Sequence, residues 1–223
     1  MTERVIDMTT APLATVPYAD QMERWPQTGR HILAQFDDDT IIVYQAYGPS
    51  IGQYAVEKGF FGGDFRFSRM SWIKPNFLWM MYRSQWGRAE GQKVVLALRL
   101  KRRFFDSLLA QAVPSSFDAQ IFGCPDEWAA TVARSDVHLQ WDLDHLPTGE
   151  NCERRAIQLG LRGAALEAYG KREIVQIIDM SAFVAEQRSN VHEWKCGKLV
   201  TPVENVYVPA DPRDEEIGAA HRA

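Results

Sequence analysis

Cysteine is scarce in this chain, and its few cysteines lie far apart. The 223 residues include three of them, Cys124, Cys152 and Cys196, with no Cys-x-x-Cys pair. An odd number of cysteines at wide spacing argues against a disulfide framework and against a zinc ribbon. We therefore expect a cytoplasmic protein from a reducing compartment, and we expect no metal site.

Long apolar runs and an excess of positive charge are also missing. No stretch approaches the roughly 18 apolar residues that a membrane helix needs, and residues 1–21 lack the apolar core of a secretory signal. The formal net charge is −4, from 25 Lys and Arg against 29 Asp and Glu. We expect no membrane partner, and nucleic-acid binding has no global signal, although a local basic groove stays open.

The composition that remains is that of an ordinary globular protein, with 46% hydrophobic and 24% charged residues. Residues 1–25 carry Pro12 and Pro17 without a clear apolar period, which predicts an N-terminal arm. Residues 209–223 are polar and read as a C-terminal tail. Residues 26–208 contain no repeat and no linker, so the sequence predicts one domain there.

Hydrophobic patterning predicts an α+β domain with mixed or antiparallel sheets and short interposed helices. Alternating or continuous apolar runs predict strands of one sheet system over residues 40–47, 65–74 and 94–100. A helix is predicted over residues 77–86, because Pro75 ends the preceding strand and Asn76 is a candidate N-cap.

The stretch RMSWIKPNFLWMMYRSQWG, residues 69–87, is the densest in aromatic, Met and cationic residues. One side of its predicted helix carries Phe77 and Met81, as expected of a core-facing stripe. Arg69, Lys74 and Arg83 lie among the aromatics, and burying a cation is costly unless it finds a partner. Either their stems pack while the charged ends reach water, or they form an anion pocket with aromatic walls, which suits a nucleotide.

On these residues the chain resembles a bacterial and fungal family of domains of unknown function, with the signature RM-[ST]-WIKP-x-FLWMMYRS-x-WG. Three further segments carry the same resemblance: VYQAY at residues 43–47, W-D-x-D-H at 141–145 and ERRAIQLGLRG at 153–163. The likeness covers roughly residues 28–190. It implies a family and a fold more than an activity.

The order of the predicted strands and helices over residues 40–84 is also similar to the NAD-binding half of ADP-ribosyltransferases. This resemblance implies NAD as the substrate, with Gln45 and Glu153 as catalytic residues, although Gln45 replaces the usual His or Arg and Ala46 replaces the usual Gly. We expect the nucleotide-binding cleft to be built from the VYQAY strand and segment 69–87, with six binding residues: Tyr44, Arg69, Ser71, Trp72, Lys74 and Arg83.

Two charged clusters allow two readings each. Asp142, Asp144 and His145 have the residue types of an acid-base pair or a metal site, but the period of a strand separates His145 from the two Asp, which favours a polar strand end. Glu153 precedes Arg154 and Arg155. It is either an exposed ion-pair member of small energetic value or a carboxylate in a cationic pocket that stabilises a ribosyl cation.

Two functional hypotheses follow from these residues. The first is an ADP-ribosyltransferase-like enzyme that binds NAD and modifies an unknown acceptor, with nucleic acid among the candidates. The alternative is a non-catalytic module that binds RNA or a nucleotide through the aromatic and basic segment 69–87. The sequence leaves the oligomeric state open.

Overall fold

Two larger β-sheets and two small two-stranded ones organise the protein, whose computed structural model describes residues 12–210. The strands are β1 (Thr15–Pro17), β2 (Gly29–Arg30), β3 (Leu33–Ala34), β4 (Thr40–Tyr47), β5 (Ser71–Ile73), β6 (Val94–Lys101), β7 (Val113–Pro114), β8 (Val137–His145), β9 (Asn151–Leu161), β10 (Ile174–Asp179), β11 (Val200–Pro202) and β12 (Asn205–Val206).

Short helices lie between the strands. They are α1 (Tyr18–Met22), α2 (Pro49–Lys58), α3 (Phe77–Ser84), α4 (Arg102–Gln111), α5 (Pro125–Arg134), α6 (Gly163–Ala168) and α7 (Ser181–Arg188), with a π-helical turn at Tyr169–Glu173 and a 3₁₀ helix at Val191–Cys196. No helix among residues 12–210 is long and apolar enough to cross a membrane.

The first sheet is antiparallel and has the strand order β10-β6-β4. The second has the order β2-β9-β8-β7, with β5 also paired to β9. It is mixed, because β2 and β7 run parallel to their neighbours while β8 and β5 run antiparallel to β9. The α+β single domain with mixed and antiparallel sheets that the sequence predicts is therefore confirmed.

The three-stranded sheet is buried on both faces, which explains why β6 reads as a continuous apolar run. Ile41 and Val43 of β4 face a first core, which lies between the two sheets. Ile42 and Tyr44 face a second core, which α3 and α7 cover. The alternation of β4 thus supplies both cores, and each fully buried large side chain contributes roughly 1.5–3 kcal/mol.

Helix α3 begins where the sequence predicts, at a capped junction. The Asn76 side chain accepts a hydrogen bond from the backbone N–H of Trp79 at 2.7 Å, and the buried Glu204 carboxylate accepts one from Phe77 at 2.6 Å. These bonds satisfy N–H groups that the first turn of a helix leaves unpaired. The helix ends earlier than predicted, because Gln85 and Trp86 adopt left-handed conformations with φ of 52° and 54°.

The predicted strand over residues 65–74 is wrong for residues 65–70, which form turns, and only Ser71–Ile73 is strand. This strand pairs with β9 of the second sheet, so the expectation that it shares one sheet system with residues 40–47 and 94–100 is also wrong. The alternating Phe65 and Phe67 do not point across a sheet. Phe65 stacks on Phe61 with ring centroids 4.6 Å apart, and the Phe67 ring packs against Phe65 edge-on. A local aromatic cluster, rather than a ladder, explains the apolar alternation.

The predicted boundary between arm and domain at residue 26 stays a prediction, but the described part of the arm packs closely on the domain. Strand β1 pairs with β11, and Tyr18 and Trp25 are buried in the second core. The Gln21 side chain donates a hydrogen bond to Thr201 Oγ1 at 2.6 Å. Residues 1–11 of the arm, and residues 211–223 of the predicted tail, lie outside the described residues.

Candidate active site

A cleft of about 490 Å³ opens between the five-stranded sheet, helix α3 and the end of β4. The side chains of β8 and β9 alternate at this cleft. Leu139 and Ile157 enter the first core, whereas Gln140, Asp142 and Gln158 line the cleft. The period of two therefore gives the sheet one apolar face for packing and one polar face that can contact a ligand.

Lys74 follows β5 in the wall of the cleft, and only 5% of this residue is exposed. Its backbone bonds to Tyr44 of β4 in both directions, which fixes it where the two sheets meet. The structure gives its ammonium no hydrogen bond or ion pair within residues 12–210. Burial lowers the pKa of Lys74 to about 8; Arg83 contributes in the same direction and Asp142 opposes it. An anion in the cleft would supply the partner that this ammonium lacks.

Asp142 is the carboxylate of the cleft, and two amides hold it in place. Gln140 Nε2 donates to its Oδ1 at 2.8 Å, and Gln158 Nε2 donates to its Oδ2 at 2.7 Å. Arg83 lines the same cleft from helix α3, is exposed, and has no hydrogen bond or ion pair within the described chain. The cleft therefore combines two cations with one oriented carboxylate.

Gln45 and Ser71 form a hydrogen-bond network at the end of β4. Gln45 Nε2 donates to Ser71 Oγ at 2.8 Å and to the Trp72 carbonyl at 3.1 Å, and its Oε1 accepts from the Tyr169 hydroxyl at 2.6 Å. Tyr47 and Ser71 share a further bond at 2.6 Å. Because both functional groups of the Gln45 amide are occupied, this residue ties β4 to β5 at the rim of the cleft.

Aromatic side chains close two sides of the cleft. The Trp72 indole lies over Gly160 of β9, where a Cβ atom would come within 2.9 Å of the ring. Trp79 faces the cleft from helix α3, and its buried indole Nε1 has no acceptor within residues 12–210. The walls therefore offer flat apolar surface for a ring to stack on, together with one unused donor.

Residues 31–207 of the chain match the family model described as "Domain of unknown function (DUF4291)". The matched segment is most of the 223-residue chain. The protein belongs to the DUF4291 family. A comparison with curated proteins found no match.

The DUF4291 domain brings five of the eight predicted site residues to one cleft. They are Gln45, Ser71, Trp72, Lys74 and Arg83. Their proximity follows from the bridge between β4 and β5 and from the immediate start of α3 after Lys74. Their roles toward a ligand stay predictions.

The other three predicted residues lie elsewhere. Tyr44 is fully buried in the second core, where its ring packs edge-on against Phe77. Arg69 is exposed and lines an adjoining cavity of about 430 Å³, which shares Tyr47, Met70 and Ser71 with the cleft. Between Tyr44 and Arg69, only Arg69 is placed to contact a ligand that extends beyond the cleft.

Glu153 is exposed and does not line the cleft. It lies on β9 five residues before Gln158, which is roughly 16 Å along an extended strand, and it points to the opposite face. Arg155 is exposed on the same face, while Arg154 between them is buried. The geometry therefore leaves Asp142, not Glu153, as the carboxylate nearest the other site residues.

The acidic segment at residues 142–145 does not form one site. Asp144 is buried, and its Oδ2 accepts two hydrogen bonds from the Arg154 guanidinium. The His145 ring stacks on Tyr82 with centroids 3.5 Å apart, and burial lowers its pKa. Only Asp142 reaches the cleft, because the strand period and an irregularity between residues 143 and 145 separate the three side chains.

Four glutamines line the cleft, and sequence reasoning missed three of them, Gln92, Gln140 and Gln158. The sequence does contain a signal for two of them. Gln140 in QWD and Gln158 in AIQL are polar residues that interrupt largely apolar strands. The strand register places these two residues opposite each other on β8 and β9, and this register is visible only in the tertiary structure.

Proposed function

We propose that the cleft of this DUF4291 protein binds NAD and that the protein transfers the ADP-ribose part of NAD to an acceptor. The observation that carries the proposal is Lys74, a buried cation without a partner that lines a cleft with Arg83. The order of strands and helices around the cleft supports it as a fold-level analogy.

Lys74 supports a diphosphate ligand for an energetic reason. Holding an ammonium out of water costs free energy in the absence of ligand. A diphosphate supplies the missing hydrogen bonds and opposite charge, and Arg83 adds a planar guanidinium that can bind phosphate oxygens in pairs. The cavity that contains Arg69 extends the cleft, so a dinucleotide with its phosphates at Lys74 reaches a third cation.

The walls of the cleft fit the other parts of NAD. Trp72 and Trp79 offer ring surfaces on which adenine or nicotinamide stacks. The cationic nicotinamide ring of NAD also gains from the face of an indole. The Trp79 Nε1 donor and the amide of Gln92 provide polar contacts that fix orientation.

Asp142 is the carboxylate that the proposed chemistry requires. The bond between ribose C1′ and the nicotinamide nitrogen breaks, and neutral nicotinamide leaves with the electron pair. The ribose then carries positive charge, which a carboxylate stabilises more in the transition state than in the ground state. An acceptor oxygen or nitrogen bonds to C1′ and loses its proton. Gln140 and Gln158 keep the carboxylate oriented throughout.

The test measures nicotinamide release from NAD by the parent and by two variants that each change one acid to its amide. Asp142→Asn should lower turnover by about 10²-fold, the scale of losing one electrostatic stabiliser. Glu153→Gln is the matched control on the exposed end of β9 and should leave turnover within about two-fold. NAD affinity should change little in either variant.

Three outcomes would contradict the proposal in different ways. If calorimetry detects no NAD binding, NAD is not the ligand of the cleft. Binding without nicotinamide release favours the non-catalytic nucleotide-binding module. If Glu153→Gln loses turnover while Asp142→Asn does not, the catalytic carboxylate is Glu153, and the reaction does not take place in this cleft.

A further inference from the structure

A second cavity, of about 660 Å³, lies at the C-terminal end of helix α3 on the other side of Arg83. Three arginines line this arginine cavity: Arg83, Arg88 and Arg188. The lining residues that the structure describes include no Asp or Glu. The charge in the cavity is therefore positive and unopposed, in a chain whose formal net charge is −4.

A left-handed turn holds two of these arginines. Gln85 and Trp86 are consecutive non-glycine residues at φ of 52° and 54°, a conformation that costs free energy for residues with side chains. The Gln85 carbonyl accepts a hydrogen bond from Arg88 Nε at 3.4 Å, and the Trp86 carbonyl accepts one from Arg188 Nη1 at 3.1 Å. The strained turn thus presents the two guanidinium groups, whose other N–H groups have no partner among residues 12–210.

Tyr82 gives the arginine cavity an aromatic platform. The residue is 44% exposed, and its ring stacks on the buried His145 ring with centroids 3.5 Å apart. His145 in turn stacks on Trp79, which faces the NAD cleft. A supported but exposed ring beside cations is the arrangement on which single-stranded nucleic acids bind, with bases on rings and phosphates on arginines.

We infer that the arginine cavity binds single-stranded nucleic acid, which is the acceptor in the proposed transfer. The binding follows from the cavity alone, whereas the acceptor role rests on the proposed function. Arg83 lines both cavities, so a strand held there lies beside the NAD cleft. In the transfer, an oxygen or nitrogen of the strand bonds to C1′ of the ribose. Nicotinamide leaves with the electrons of its bond, and the proton of the nucleophile passes to solvent.

The experiment follows the fluorescence anisotropy of a labelled single-stranded oligoribonucleotide of about 12 residues, a length within the range of single-strand sites. Arg88→Glu should weaken binding by about ten-fold or more. Arg103→Glu makes the same charge change at an exposed position of α4 that lines neither cavity, and it should stay within about two-fold of the parent. NAD binding should be the same in all three proteins.

Salt dependence and competitors sharpen the result. Each phosphate contact to a single strand contributes about −0.7 to the slope of log K against log salt, so Arg88→Gln should reduce the slope by about that amount. Tyr82→Ala should weaken binding while leaving the slope unchanged, because it removes stacking and no charge. Inorganic phosphate, AMP and a duplex of the same sequence should compete poorly, because none of them combines several phosphates with unstacked bases.

The inference is overturned if the oligonucleotide does not bind, if Arg103→Glu weakens binding as much as Arg88→Glu, or if AMP or the duplex competes equally well. The acceptor role has its own measurement, the mass of the oligonucleotide after incubation with the parent protein and NAD. An added ADP-ribose supports it. An unchanged mass while nicotinamide is released contradicts the role, and absent nicotinamide release contradicts the proposed function instead and leaves the binding result standing.

Discussion

Two cations at the five-stranded sheet are equally buried, but only one of the two charged groups has hydrogen-bonding partners in the described chain. Arg154 of β9 is 4% exposed, and Lys74 beside β5 is 5% exposed. Arg154 donates twice to the Asp144 carboxylate and once to the Pro26 carbonyl, and its guanidinium lies 5.3 Å from the Trp25 ring centre. Lys74 has no such partner in the described chain.

The contrast separates a cation that holds the fold together from one that the proposed function assigns to a ligand. A buried charge is tolerated when hydrogen bonds and an opposite charge replace water, as at Arg154. At Lys74 the buried charge is not compensated in this way and destabilises the fold. The lowered pKa of about 8 indicates this unfavourable burial. Residues with strongly shifted pKa values that line a cleft are candidates for function. The two residues should therefore respond in opposite ways to removal of their charge.

The largest expected effect is on the stability of the paired cation. Arg154→Met leaves the Asp144 carboxylate buried without its partner, and it should lower the free energy of unfolding by about 3–5 kcal/mol. Urea denaturation measures this change. Adding Asp144→Asn to the same protein should restore part of the loss, because the unpaired charge is then gone.

The matched control for this prediction is the next residue on β9. Arg155 is exposed on the opposite face, so Arg155→Met should stay within about 0.5 kcal/mol of the parent. Equal losses at Arg154 and Arg155 would mean that positive charge on β9, and not the buried pair, stabilises the protein.

A smaller effect of opposite sign is expected at the unpaired cation. Lys74→Met removes the buried ammonium and keeps most of the volume, so the free energy of unfolding at pH 7 should rise by roughly 1–3 kcal/mol. NAD affinity should fall by about 1–3 kcal/mol, the loss of a charged hydrogen bond. Denaturation and titration calorimetry on the same preparation measure both quantities.

The pH dependence of stability has a definite sign at Lys74. Because its folded pKa lies below its ordinary value of 10.5, the folded parent pays for the charge at low pH and is relieved of it at high pH. Between about pH 8 and 10.5 the parent should therefore gain stability relative to Lys74→Met. A constant difference between the two proteins across that window would show that Lys74 is not the buried ammonium described here.

The fold and part of the site can be predicted from the sequence, and the successes share a cause. Local sequence patterns predict strands β4 and β6 and helix α3. These patterns are apolar alternation, a continuous apolar run, and Pro75 followed by the cap Asn76. Because Lys74 sits within that junction, its place near Trp72 and Arg83 also follows from a short stretch of chain.

The placements that the sequence does not predict depend on residues that are brought together from different strands or turns. Asp142 lies in β8 and Glu153 in β9, both in polar stretches of these strands, and only the pairing of β8 with β9 decides that Asp142 faces the cleft and Glu153 faces solvent. The partner of Arg154 is set by the same pairing, ten residues away across a hairpin. Phe65 and Phe67 mimic a strand because aromatic packing in a turn and alternation in a ladder leave the same sequence pattern.

The most direct test of the account is proton uptake when NAD binds at pH 8. With a pKa of about 8, part of the Lys74 population is neutral in the free protein at that pH, and a bound diphosphate should raise the pKa and draw in a fraction of a proton per molecule. Titration calorimetry in two buffers of different ionisation enthalpy measures this uptake. We predict a buffer-dependent binding enthalpy for the parent and a buffer-independent one for Lys74→Met. A parent that binds NAD with no uptake, or with the same uptake as Lys74→Met, would contradict the claim that Lys74 is held unpaired for an anion.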